Sequence, residues 1–425
     1  MNRKVTLLYI SLACVLSMQA QTRQQMGGVY YAYPEGPSAK TGTFGTTTYV
    51  MFDSLNVPQG YAPFYISHYG RHGSRWMPKD DRYVWICKHF EDENNLTPLG
   101  LQVKGMLQRV WENARGNGGK LSKLGALQHQ GIAHRMFERY PQIFAVGNAV
   151  KARSSVVDRC AKSMQAFTSE LHSLQPGLNL DVKTDSADMA WIAYVSPEVK
   201  ALENRTHVQA QVSPRRFLLQ LFKDVSKVDE PLKLMTEMHT VASSIQDVGL
   251  NFSSYPQDIE DGLNALFTDD EFRAIYDANN LRMTINNGTV ATNEDIPARS
   301  AISLWQNIEA EADRALRSVK SSATLRFGHD TALYRLLSLL FDVNVPPAGA
   351  REEASLVVLG DEMEKMDRVV PMAANLQMLF YKNAKDSVLV KFMLNERDVM
   401  LSPVGQVIYG THYYSWNAWK QEMHE

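Results

Sequence analysis

The sequence predicts an α/β fold: a three-layer core on a mostly parallel sheet, interrupted by a helical insertion. Three observations predict it. Short apolar runs alternate with stretches of helical periodicity over residues 62–182, the pattern of strand–helix–strand units. From about Met189 to Val319 the strand signals vanish and only helical spacing remains. The alternation returns at residue 323 and runs to residue 394. The core therefore takes residues 21–188 and 320–425, and the helical cap residues 189–319.

The chain opens on Met1-Asn2-Arg3-Lys4, runs apolar from Val5 to about Leu16, and reaches Ser17-Met18-Gln19-Ala20-Gln21. A basic head, an apolar stretch too short for a bilayer and a small residue at its end make residues 1–20 a secretory signal peptide. Cleavage is expected after Ala20, giving an exported protein, periplasmic or secreted. Ser11-Leu12-Ala13-Cys14 loosely matches a lipoprotein box, so a lipid anchor is the lesser alternative. No later segment has the long uncharged apolar run of a transmembrane helix.

Residues 21–60, rich in Tyr, Gly, Thr and Pro, read as an extended arm laid over the core. Residues 62–69 form a buried strand that ends in a glycine-broken loop. Residues 124–140 read as a helix stopped by Pro141, 148–154 as a strand, 156–174 as a helix and 178–182 as a further strand. In the cap, residues 217–222, 232–248 and 259–267 are helical. Ile302, Trp305, Ile308, Ala312, Ala315 and Val319 recur at helical spacing. After the cap come a strand (323–327), a buried helix (331–341) and a third core element (355–359). Two strands, 376–381 and 388–394, then form a hairpin at the sheet edge.

A hydrophobic content of 44% and a charged content of 21% are those of an ordinary globular protein. A formal net charge of −2 argues against a nucleic-acid binder, so any anion site must be a local cluster of cations. Cys14 leaves with the leader. Cys87 and Cys160 remain, either as one disulfide of an exported protein or as two buried thiols.

The chemistry concentrates in Arg71-His72-Gly73-Ser74-Arg75, directly after the first core strand. The planar fork of arginine donates paired hydrogen bonds to phosphoryl oxygens, and here two arginines flank a histidine. Ligands of open α/β sheets bind beyond the carboxyl ends of the strands, where this loop falls. His68 and His72 have the spacing of a zinc pair only on a helix, which Gly70 and Gly73 oppose.

Here the chain resembles the histidine phosphatase superfamily, in its acid phosphatase and phytase branch. Arg-His-Gly-x-Arg is that branch's signature, and Arg75 separates it from the mutase branch. Residues 121–129, Leu-Ser-Lys-Leu-Gly-Ala-Leu-Gln-His, resemble the family's Leu-Thr-x-x-Gly-x-x-Gln-His helix start. Residues 154–159, Ser-Ser-Val-Val-Asp-Arg, resemble the segment that supplies a third arginine. Gly328-His329-Asp330-Thr331 resembles the distal histidine–aspartate pair.

The resemblance implies a phosphomonoesterase with inositol phosphates among its best-known substrates. His72 is the expected nucleophile, Asp330 the acid for the leaving oxygen, and Arg71, Arg75, Arg159 and His329 the phosphate ligands. The cations take the charge role of a metal, so no cofactor is called for. The partner is a small phosphomonoester, and no protein partner is evident.

Plainer roles compete. Asp330 and Thr331 also suit a helix cap, and Arg159 a helix surface. Gln128 and His129 read as structural and His68 as a core histidine. Ala332 stands where phytases of the branch usually have Asn, and Asp330 departs from the vertebrate His-Ala-Glu, which leaves a general phosphomonoesterase in front. Lys200, Arg205, Arg215 and Arg216 would favour a polyanionic substrate if several faced the pocket. The alternative to an enzyme is a non-catalytic phosphate-ligand binder or structural surface protein on the same fold.

Overall fold

The structure, a computed structural model, describes residues 22–33, 57–250, 252, 262–290, 292–341, 366–399 and 413–424. The expected leader, most of the arm and the element expected at 355–359 lie outside these residues.

The central sheet has the strand order β3-β2-β4-β1-β5-β6-β7, with β8 paired to β6. Its strands are β1 (Tyr61–Arg71), β2 (Ala149–Ser154), β3 (Asn179–Thr184), β4 (Ser322–Gly328), β5 (Asn375–Asn383), β6 (Val388–Leu394), β7 (Arg397–Val399) and β8 (Tyr414–Ser415). The first four are mutually parallel, and β5 joins β1 antiparallel and turns back into β6. The expected hairpin is thus present, with β7 and β8 pairing beyond it. Residues 65–71 of β1 are all buried, because β1 lies mid-sheet with both faces covered.

The helices are α1 (Asp81–Lys88), α2 (Pro98–Ala114), α3 (Lys123–Arg139), α4 (Asp158–Leu174), α5 (Met189–Ile192), α6 (Pro197–Arg205), α7 (Arg215–Leu219), α8 (Pro231–Ser244), α9 (Asp269–Asn287), α10 (Ile296–Ser300), α11 (Ile302–Leu316), α12 (Asp330–Phe341), α13 (Met366–Val369) and α14 (Trp416–His424). Helices α3 and α4 cover one face of the sheet, where Ile132, Met136, Met164 and Phe167 meet Ile66, Val150 and Leu325. Helices α11, α12 and α14 cover the other, where Trp305, Leu333 and Trp416 meet Tyr65, Met378 and Phe380. Side chains alternate along each strand, so Tyr65 and Tyr69 serve one layer and Ile66 the other.

A second body forms beside this core. The described chain between β3 and β4 contains only helical elements. Residues 210–276 of that stretch share one apolar cluster with Met77, Ile86, Val103 and Val110. Helices α1 and α2, which precede β2 in the chain, therefore pack with the helical body and not on the sheet. The described arm, residues 22–33, forms a 3-10 turn over Gln25–Tyr30 that wedges between this body and the core.

Candidate active site

The site is assembled where β1, β2 and β4 end. Register pairs Arg71 with Gly328 and Ser154 with Phe327, so the three strands stop at one level. The loops that follow carry Arg71 to Arg75, Ser155 to Arg159 and His329-Asp330. Segments expected to carry chemistry from three distant stretches are thereby brought together.

Two glycines permit the approach. A Cβ on Gly73 would stand 2.4 Å from the Gly125 carbonyl oxygen, and one on Gly125 2.2 Å from that of Ser74. The loop after β1 and the start of α3 thus touch backbone to backbone, which no larger residue permits. Ser122 caps α3, accepting from the Gly125 amide at 3.1 Å and donating to the Ser74 carbonyl at 2.9 Å.

His72 is buried. Its Nδ1 lies 2.9 Å from the Gly73 carbonyl, an acceptor, so Nδ1 carries the proton and Nε2 keeps its lone pair. The backbone around it is tied on both sides: its amide donates to Gly328 and its carbonyl accepts from Ala373. Burial, followed by the charges of Arg71, Arg75, Arg159 and His329, holds its pKa well below the ordinary imidazole range. The shift favours the neutral ring near neutral pH.

Arg71 is fully buried and reaches Asp330 at 2.9 Å while donating to the carbonyls of Val29 and Val370, each at 2.6 Å. Arg75 lies over the Tyr30 ring at 5.6 Å and donates to the Trp76 carbonyl. Arg159 enters from the first turn of α4. It is close enough for its charge to act on His72 and His329 and for Arg75, Arg71 and Asp330 to act on it. The Nε atoms of all three arginines are buried without a hydrogen-bond partner, a costly arrangement unless an anion receives them.

His329 meets His72 edge-on with ring centroids 5.8 Å apart. Its Nε2 lies 3.1 Å from Ser155 Oγ, and its amide donates to the Tyr69 hydroxyl, itself anchored on the Ile192 carbonyl. Burial and Arg159 push its pKa down to about 4, against the opposing pull of Asp330. Asp330 begins α12 and accepts from the Thr331 amide at 2.9 Å, a local backbone contact alongside its ion pair, while the His329 carbonyl takes the first helical bond. Burial raises its pKa, but Arg71, Arg75 and His329 outweigh that and leave it below the usual carboxylate range. In the free protein Asp330 is the anionic partner of Arg71.

Other expectations sort cleanly. Gln128 is structural, accepting from the Ser74 amide at 2.9 Å. His68 points away from the site, between Phe167 and Phe327, and neither it nor His129 makes a hydrogen bond of normal geometry. Arg216 is bound to Glu271 and to the Leu266 carbonyl. Cys87 and Cys160 are free thiols. Several supports were invisible in the sequence: Ser163, which receives the Gly73 amide, the strap Val370 to Ala374 behind His72, and Asp247. None sits in a motif, and each is joined to the loop only by folding.

No protein-family model matches the chain. A chicken (Gallus gallus) protein named multiple inositol polyphosphate phosphatase 1 is 23% identical over 306 residues. That alignment covers 68% of this chain and 66% of the relative, just under two thirds of its length. The multiple inositol polyphosphate phosphatase of Bifidobacterium longum, solved with inositol hexasulfate, superposes with a TM-score of 0.69 at 16% identity, covering 94% of this chain and 97% of that one. A phytase from D. castellii superposes with a TM-score of 0.63 at 12% identity, covering 98% and 88%. The fold is theirs, and the resemblance read from the motifs is borne out.

Proposed function

We propose that this chain, by fold and motif one of the acid phosphatase and phytase branch of the histidine phosphatase superfamily, is a phosphomonoesterase that works through a phosphohistidine on His72. One observation carries the reading: a neutral imidazole, pinned through Nδ1 and free at Nε2, stands among three guanidinium groups whose charges act on it.

In this reading a phosphate monoester binds with its oxygens on Arg71, Arg75 and Arg159. Nε2 attacks phosphorus in line as the bond to the leaving alkoxide breaks, and the arginines hold the equatorial charge. The bound dianion competes for Arg71 and so releases Asp330 from the pairing that keeps it ionised. Its pKa rises in the complex, and it delivers a proton to the alkoxide. Water then attacks phosphorus, giving its proton back to Asp330 as the N–P bond breaks, and inorganic phosphate leaves with His72 and Asp330 restored.

Inositol phosphates are the proposed substrate class, supported by the names of the chicken relative and the Bifidobacterium longum structure. Export is proposed on the leader pattern of residues 1–20, and the N-terminus of the protein recovered outside the cytoplasm, read by mass spectrometry, checks it.

The central test is an assay of purified protein on p-nitrophenyl phosphate and inositol hexakisphosphate beside His72→Ala. The wild type should turn over both and the variant neither. No wild-type turnover would favour a non-catalytic binder, and turnover by the variant would remove His72 as nucleophile. Turnover of the nitrophenyl ester alone would reject the substrate class.

A further inference from the structure

One buried ionisable group beside the site has no part in the chemistry above. Asp247 lies in the turn Ile245–Val248 that follows α8, and it is fully buried. Its Oδ1 sits 2.6 Å from Ser74 Oγ. Gln128 Nε2 donates to the same hydroxyl at 3.0 Å, so the hydroxyl's own proton goes to Asp247. Ser74 is thus gripped by five hydrogen bonds: the amide by Gln128, the carbonyl by the amide and hydroxyl of Ser122, and the hydroxyl by Gln128 and by Asp247. Ser74 is the residue between the His72-Gly73 pair and Arg75.

The placement is costly. A carboxylate out of water is unfavourable unless compensated, and Oδ2 of Asp247 has no hydrogen-bond partner. The charged groups acting on it are Arg75 and Arg71, both from the phosphate site; burial pushes its pKa up to about 7 while the Ser74 hydrogen bond and these arginines oppose the rise. A cheaper residue would serve if the position only filled space.

We propose that Asp247 is a positioning residue for phosphoryl transfer, holding the Ser74 hydroxyl and so the aim of His72 Nε2 and Arg75 at phosphorus. It does this from the helical body, and so joins that body to the nucleophile loop. The inference rests on the phosphomonoesterase reading.

The test is a mutant cycle on p-nitrophenyl phosphate. Asp247→Ala and Ser74→Ala should each lower kcat by about 10²-fold with a smaller change in KM, the loss expected when a reacting group is misaimed. The double variant should be no worse than either single one within about threefold, because both remove one contact. Asp247→Asn keeps an acceptor oxygen and should recover at least about tenfold of the loss. Losses that multiply in the double variant, or an asparagine no better than alanine, overturn the proposal. If Asp247→Ala fails to fold, Ser74→Ala and Asp247→Asn carry the test. A Ser74→Ala kcat within about threefold of wild type then refutes it. Wild-type protein and His72→Ala run in the same assay separate the two levels: absent wild-type turnover rejects the phosphatase reading, whereas normal wild-type turnover with unimpaired Ser74→Ala rejects Asp247 alone.

Discussion

On the proposed mechanism His72 is a nucleophile only while its ring is neutral, and burial among guanidinium groups favours that form. The same arginines act oppositely on Asp330, which they hold ionised through the contact with Arg71. A general acid must carry a proton, so on the proposed mechanism Asp330 becomes competent only once phosphate occupies Arg71. The consequence is a pH dependence with a defined sign. With a poor leaving group, kcat should fall between about pH 5 and about pH 9, as Asp330 in the complex loses its proton. A kcat that climbs over that range rejects the assignment. Asp330→Asn should cost about 10²-fold or more on an alkyl phosphate and much less on p-nitrophenyl phosphate, whose leaving group needs no proton. Equal losses on both would mean that Asp330 acts only as the Arg71 partner or as support for the start of α12.

Among elements, the contact between the loop after β1 and the start of α3 fixes the backbone beside His72. It is made by two glycines with no room for a side chain. Gly125→Ala would drive a methyl group into the Ser74 carbonyl and should destabilise the protein by about 1–3 kcal/mol. The displaced loop should also lower kcat by about 10²-fold, measured alongside the thermal midpoint. A variant with lowered stability but wild-type kcat would show that the loop keeps its aim without this contact. The motif residues 121–129 were legible as a helix start, and Ser122 is its cap. That Gly125 is there for the sake of Ser74 was not legible, because the two are neighbours only in the folded chain. The parallel strands were legible for a related reason. Residues 62–69 read as a short apolar and aromatic run, and residues 65–71 are buried because both faces of β1 are covered.

At the scale of the molecule, burial of neutral histidines should weaken the fold in acid. His68, His129 and His239 are each pushed by burial to a pKa of about 3. The unfolded chain takes up protons at these rings near pH 6.5, while the folded protein resists until far lower pH. Stability should therefore fall as pH drops through that window, by about 1.4 kcal/mol per unit for each ring. His239 lies in the helical body against Phe272, its ring nitrogens making no hydrogen bond of normal geometry. His239→Leu should consequently flatten the dependence by about one proton between about pH 6 and about pH 4 in calorimetric midpoints. An unchanged slope would remove His239 as a contributor. The helical body also shows a limit of reading along the chain. Periodicity located α7 and α8 of the helical body but not α9, and their partners Met77 to Ala114 come from before β2. Apolar faces announce that they are buried, not against what.

The amino-acid order alone determined the alternation of strands and helices, the loop Arg71 to Arg75, and the pairing of His329 with Asp330, since periodicity and short motifs are local properties. Tertiary structure decided the protonation of His72 and Asp330, the service of Gly125 and Ser163 to the loop, and the presence of Asp247 behind it. Those features depend on distances between residues far apart in the chain, and on the loss of water around charges, which only packing creates.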